Sequence, residues 1–293
     1  MMNYIVGLGE ALWDELPEGR KIGGAPANFA YHISQFGYDS RVVSAIGRDQ
    51  LGDEMLESFD KGGLKYLIER VDYPTGTVTV ELDDDGIPTY QIRRGAAWDN
   101  IPFTPALEEL ARQTQVAFFG SLAQRNEASR ATINSFLDAM PDEKGRYKVF
   151  DVNLRQHYYT KEILDESMKR CNILRINDEE LVALGRKFGY PGADLKDKCW
   201  ILLAKYNFEV LILTCGINGS YVFTPGKVSF VATPQVEIAD TVGAGDSFTA
   251  AFIASYLKDG DIRAAHRRAV DVSAYICTQH GATPEIPAEI LGL

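Results

Sequence analysis

Two kinds of hydrophobic pattern alternate along the chain. Short continuous apolar runs at 4–9, 41–46, 115–119, 147–152, 172–176, 209–214 and 219–223 predict buried strands. Apolar residues spaced three and four apart predict helices at 26–37, 51–61, 104–113, 127–139, 160–170, 178–188, 194–206, 246–258 and 261–279, the first of them entered through a Gly23-Gly24 turn. Strands without polar alternation, separated by helices, belong to a largely parallel sheet covered on both faces. Residues 76–92 differ. The stretch 77–82 alternates, Asp83-Asp84-Asp85-Gly86 reads as a turn, and 87–92 returns. One polar face marks a hairpin that projects from the main body, the alternative being an edge hairpin on the main sheet. The expectation is a single α/β domain over 1–293, with a small β-sheet lid built from roughly 10–24 and 74–98.

Composition narrows the partners. The chain has 293 residues, with 30 basic against 41 acidic, a net charge of −11. An anionic substrate must therefore be held by local groups, because the overall field repels it. No basic stripe is present, which argues against nucleic acid as a partner. No apolar run reaches a membrane span, and Met1-Met2-Asn3-Tyr4 leads into a strand without a signal-peptide pattern. A cytoplasmic location is expected. The four cysteines lack C-x-x-C spacing and the four histidines lack ligand spacing, so core roles are expected in place of a zinc site.

Candidate chemistry gathers around Asp240-Thr241-Val242-Gly243-Ala244-Gly245-Asp246-Ser247-Phe248. A small-residue turn opens a helix there, and its backbone N–H groups and dipole favour an anion. A carboxylate beside an anion site should repel the anion. The conflict dissolves if the anion is a phosphoryl group in transfer and Asp246 takes the proton of the attacking hydroxyl. An ordinary capped helix start is the alternative. The helix terminus should lower the pKa of Asp246. The first strand's Gly7 and Gly9 lack the third glycine of a dinucleotide fingerprint, and no G-x-x-x-x-G-K-[ST] loop occurs, so a nucleotide would need another device.

Other strand ends carry polar residues. Glu10 and Asp14 come after the first strand, where α/β sheets bind ligands, and Asp14 could accept from sugar hydroxyls or be a solvated loop acid. Gly23-Gly24-Ala25-Pro26-Ala27-Asn28 opens a helix with Asn28 in its first turn, offering a polyol both donors and an acceptor. Arg155 in Asp151-x-Asn153-x-Arg155 suits a phosphate or a surface salt bridge. Asn177 and Glu180 share a helix's first turn, as a cap or as partners of a hydrated Mg2+. Thr214-Cys215-Gly216-Ile217-Asn218-Gly219 is a tight turn that could admit a nucleotide. Gly281, after Gln279-His280, could flank an adenine ring.

In this order along one chain, the residues resemble the ribokinase-like carbohydrate kinases, and among them fructokinases most. The two glycine signatures, at 23–28 and 240–246, carry the resemblance over essentially the whole length. It implies a ribokinase-like fold, ATP as donor and Mg2+ as cofactor. It makes Asp246 the catalytic base, with Gly243, Ala244 and Gly245 as the anion hole and Arg155 assisting. Asp14, Gly23, Gly24, Asn28 and Arg93 fall at the sugar. Asn177, Thr214, Gly216, Gly219, Gly245 and Gly281 fall at the nucleotide. Asn177 and Glu180 match the family's N-x-x-E element, associated with Mg2+ through water, while Asp240 and the Val242 carbonyl would hold K+. The fructokinase flavour rests on Gly9-Glu10-Ala11-Leu12-Trp13-Asp14, on Phe119-Gly120-Ser121-Leu122 and on the Asp151-x-Asn153-x-Arg155 run. Trp13 and Arg93-Arg94-Gly95-Ala96-Ala97-Trp98 are where specificity could have drifted, towards 2-keto-3-deoxygluconate, ribose or a nucleoside. A non-catalytic sugar- or nucleotide-binding protein is the other class, against which the retained base and anion turn argue. The hairpin's apolar face, Val78 and Val80, could join two copies into a homodimer through the lid, or pack on its own domain.

Overall fold

A computed structural model describes residues 3–16, 19–82, 88–190 and 192–292, with the backbone alone for 80–82 and 88–90. The chain begins with β1 (Tyr4–Leu8), β2 (Leu12–Leu16), β3 (Gly19–Gly23), α1 (Ala25–Ser34), β4 (Ser40–Gly47), α2 (Gln50–Lys61), β5 (Lys65–Val71), β6 (Gly76–Leu82) and β7 (Pro88–Ile92). It continues through α3 (Pro105–Arg112), β8 (Thr114–Gly120), α4 (Glu127–Ala139), β9 (Tyr147–Asp151), α5 (Lys161–Arg170), β10 (Ile173–Asn177) and α6 (Asp178–Phe188). It ends with α7 (Leu195–Tyr206), β11 (Val210–Thr214), β12 (Ser220–Thr224), β13 (Lys227–Val231), α8 (Ala244–Asp259), α9 (Ile262–Cys277) and α10 (Ala288–Leu291).

Nine strands form the central sheet in the order β13-β12-β11-β10-β9-β8-β1-β4-β5. Every pairing from β11 across to β5 is parallel, and only the β11–β12 and β12–β13 pairings are antiparallel, so β12 alone runs against the sheet. Helices cover both faces, and β8 shows how one strand serves both. Val116 and Phe118 join the core shared with α1, α8 and α9, while Ala117 and Phe119 join the core shared with α3 to α7. Phe29 of α1 stacks on Phe118 with ring centroids 4.4 Å apart, which fixes α1 against the sheet. Helix α8 packs beside α1 and α9 on that face. The two glycine signatures, more than two hundred positions apart, thereby open neighbouring helices.

The expected lid is a separate four-stranded sheet, in the order β3-β2-β6-β7, so the edge-hairpin alternative falls. The turn expected at 83–86 lies outside the described residues. Val78 is 6% exposed and belongs to the same buried cluster as Leu12, Ala96 and Trp98. That half of the expected dimer face is spent on the chain's own core, because the strand's apolar side turns inward; the Val80 side chain lies outside the described residues. A second difference is β5. Its sequence Lys-Tyr-Leu-Ile-Glu-Arg-Val mixes charges with apolar residues, as suits a half-exposed edge strand, and it escapes a search for continuous apolar runs.

The lid's exit is pinned. The Arg125 guanidinium lies between the Trp98 ring (4.1 Å) and the Tyr158 ring (4.5 Å), and it donates to both oxygens of Asp99 at 2.8 and 2.9 Å. It also donates to the Arg93 carbonyl. Buried at this junction, the ion pair is shielded from water and ties the chain leaving the lid to the body.

Candidate active site

The site lies at the carboxyl ends of the parallel strands, where α/β sheets open a crevice. Gly243, with a left-handed φ of 78°, turns the chain into α8, and Ala244, Gly245 and Asp246 form the first helical turn. The Ala244 N–H reaches the Thr241 carbonyl at a long 3.3 Å. From α1, the Asn28 Nδ2 donates to the Asp246 Oδ2 at 2.9 Å. Two residues from opposite ends of the chain thus share one hydrogen bond. The Asn28 Oδ1 is buried without a hydrogen-bond partner among the described residues.

Asp246 is half-buried, and its pKa rises from 3.8 to about 6. Burial is the main cause and the Asp151 carboxylate adds to it, while the Asn28 hydrogen bond and the charges of Arg175 and Arg155 pull the other way. The lowering expected from the helix terminus is therefore outweighed by desolvation and a like charge. If Asp246 is the base, it must be ionised to accept a hydroxyl proton, so activity should be full well above pH 6, fall to half near about 6 and be lost below it. A kcat/KM profile with an acid limb near the ordinary carboxylate range would contradict this.

An arginine that the motifs do not mark lies beneath the turn. Arg175, in β10, donates to the Asp151 Oδ1 (3.1 Å) and the Thr214 Oγ1 (3.2 Å), with Glu180 4.0 Å away. A Cβ on Gly245 would sit 2.6 Å from the Arg175 Nη2. A side chain at 245 would therefore displace the guanidinium under the turn. The sequence signal was an arginine inside the apolar run Ile173-Leu174-Arg175-Ile176, where a buried charge needs partners.

The other expected residues are distributed around this centre. Glu10 is 2% exposed, and its pKa rises to about 7 through burial. Its Oε2 is buried without a hydrogen-bond partner among the described residues. Asp14, in β2, rises to about 6 through burial, with the Arg155 charge opposing. A Cβ on Gly23 would overlap the Asp14 carboxylate, and one on Gly24 would overlap the Glu10 carbonyl oxygen. Arg155 is exposed, and its charge reaches Glu10, Asp14 and Asp246 together. Arg93 stands apart from this group. It lines a cleft of about 1080 Å³ under the lid with Thr77, Arg94 and Tyr158.

Asn177 and Glu180 form a capping box, with the Asn177 Oδ1 accepting from the Glu180 N–H and the Glu180 Oε2 from the Asn177 N–H. The Glu180 Oε1 accepts from the Leu154 N–H at 2.9 Å. Both carboxylate oxygens are engaged, which leaves them suited to outer-sphere contact with a hydrated Mg2+. Among the described residues, no group of three or more His, Cys, Asp and Glu could hold a metal by itself. Thr214 is held by Arg175. Gly216 opens a short 3-10 turn closed by Gly219, and the Cys215 N–H bonds the Gly219 carbonyl at 2.9 Å.

Asp240 links to Gly281, since its two oxygens accept from the Val242 and Gly281 N–H groups, each at 3.0 Å. Burial pushes its pKa up, but those N–H groups and the Lys21 charge bring it below its ordinary value. The Lys21 charge thus acts on the same carboxylate that the resemblance assigns to K+.

A crevice at strand ends, a glycine turn that opens a helix and a carboxylate held by a neighbouring helix are the features that the resemblance ties to phosphoryl transfer. The model of the pfkB family of carbohydrate kinases matches residues 18–289, and the chain belongs to that family. It is 29% identical over 265 residues to a fructokinase of Salmonella typhimurium, covering 86% of this chain and 84% of that one. Two crystal structures share the ribokinase-like fold. A fructokinase with bound ATP from Xylella fastidiosa has a TM-score of 0.85 at 21% identity, covering 100% of this chain and 98% of that one. A fructokinase double mutant from Vibrio cholerae O395, with fructose, ADP and potassium bound, has a TM-score of 0.82 at 22% identity, with the same coverage. Among the described residues, no helix is long and apolar enough to cross a membrane.

Proposed function

We propose that this carbohydrate kinase transfers the γ-phosphoryl group of ATP to a primary hydroxyl of a monosaccharide, with fructose the first candidate. The observation that carries the reading is the Asn28–Asp246 hydrogen bond at the head of the anion turn. It holds a carboxylate of raised pKa at the head of the turn, where this reading puts the hydroxyl and the phosphate.

Asp246 accepts the hydroxyl proton as the sugar oxygen bonds to the γ-phosphorus and the bond to the leaving ADP oxygen breaks. Asn28 fixes the carboxylate through Nδ2 and offers Oδ1 to a second sugar hydroxyl. Asp14 holds the sugar from the lid. Arg155, free to swing at the mouth, tracks the negative charge, and Arg175 keeps Asp151 and Thr214 in place below it. Mg2+, held through water by Asn177 and Glu180, would neutralise charge on the phosphates. The lid excludes water, which would otherwise compete as acceptor.

Arg93 and Arg94, both exposed at the cleft, favour a second reading: a sugar acid such as 2-keto-3-deoxygluconate, whose carboxylate they would face. The test is ATP turnover with Mg2+ across fructose, 2-keto-3-deoxygluconate, ribose, glucose and adenosine. Preference for fructose by kcat/KM supports the first reading, and preference for the acid supports the second. Absence of turnover with any of them overturns both.

A further inference from the structure

We infer that Lys21 is a tethered cation, carried on the lid, that takes the place of a monovalent metal ion beside the Asp240 loop. This rests on the kinase reading above. Three observations meet at this side chain. In the lid, Lys21 of β3 pairs directly with Asp14 of β2, so both project from the same face of the sheet. The Lys21 Cδ comes within 3.8 Å of the Cβ position of Gly281, across the cleft from the lid. Gly281 in turn donates its N–H to the Asp240 Oδ2, whose carboxylate lies in the field of the Lys21 charge.

The placement matters because Asp240 is so close to the anion turn. Only Thr241 and Val242 separate it from the glycine that opens α8. A bare carboxylate there would repel the phosphates the turn must hold, and a cation alongside screens it. A lysine does this without a metal. Its charge is fixed by a strand, and it reaches the nucleotide side only when the lid that carries Asp14 is in place. One strand pair thereby brings the sugar's partner and the nucleotide's counter-charge to the site together.

The experiment compares the natural protein with Lys21→Met and Lys21→Arg at constant ionic strength, with KCl exchanged for tetramethylammonium chloride. Lys21 is half-buried, and methionine preserves most of its stem, so the fold should survive. Turnover of MgATP with the preferred sugar should be nearly independent of K+ for the natural protein and for Lys21→Arg. For Lys21→Met it should fall about tenfold or more without K+ and recover when KCl or NH4Cl is added. A second readout needs no sugar. KCl should raise the melting temperature of Lys21→Met and leave that of the natural protein unchanged. A natural protein that K+ activates or stabilises overturns the inference, as does a Lys21→Met variant indifferent to K+ in both readouts. If no sugar is phosphorylated the kinase reading fails instead, and the melting measurement still decides the role of Lys21.

Discussion

Asp246→Asn should lower kcat by roughly 10²–10⁴-fold while the protein stays folded. The variant keeps the size of the side chain, and its amide oxygen can still accept from Asn28, so the geometry of the α1–α8 contact survives. The ability to take a proton is lost. The KM values should move little, because the lost interaction matters only once the hydroxyl gives up its proton. The substitution also relieves a cost, since burial and Asp151 both disfavour the charged carboxylate. Equal or slightly higher thermal stability beside collapsed turnover would separate a catalytic role from a structural one. A folded Asn variant that retains near-native turnover would show that Asp246 is not the base.

The second large effect concerns stability. Gly24→Ala should cost roughly 2–5 kcal/mol, from backbone conformation and overpacking together. Gly24 has a φ of 111°, in the region that side chains disfavour, and it precedes α1 directly. An added Cβ would strike the Glu10 carbonyl oxygen, and its next neighbour is the Ala11 backbone. Neither can yield as the end of a flexible side chain would. The chain must instead push α1 away from the strand end, which moves Asn28 off Asp246. A urea titration would show the loss in midpoint, and any folded fraction should turn over slowly. An alanine variant as stable as the natural protein would mean that the loop relaxes without moving α1.

Much of this was legible in the sequence. Both glycine signatures are local patterns, and each dictates a helix start on its own. The parallel sheet could be read because strands buried on both faces announce themselves as continuous apolar runs. The edge strand β5 could not, since half of it faces water and it takes the composition of a loop. Arg175 was hidden for another reason. Its meaning depends on Asp151, Thr214 and Gly245, which lie 24, 39 and 70 positions away, and no local spacing encodes their meeting. Lys21 belongs to the same class, a common surface residue until β3 aims it at Gly281. The conflict over Asp246 had the same root, because a helix terminus is a local effect and desolvation a global one.

The lid has an implication for how the chain matures. Its strands β2 and β6 pair in parallel although the whole segment containing α1, β4, α2 and β5 separates them. A pairing that closes so long a loop gains little until the intervening chain is compact, so it should form late. The polar groups under the lid therefore come together only in molecules whose body is already built. A ligand that binds there would stabilise only chains whose body is already built.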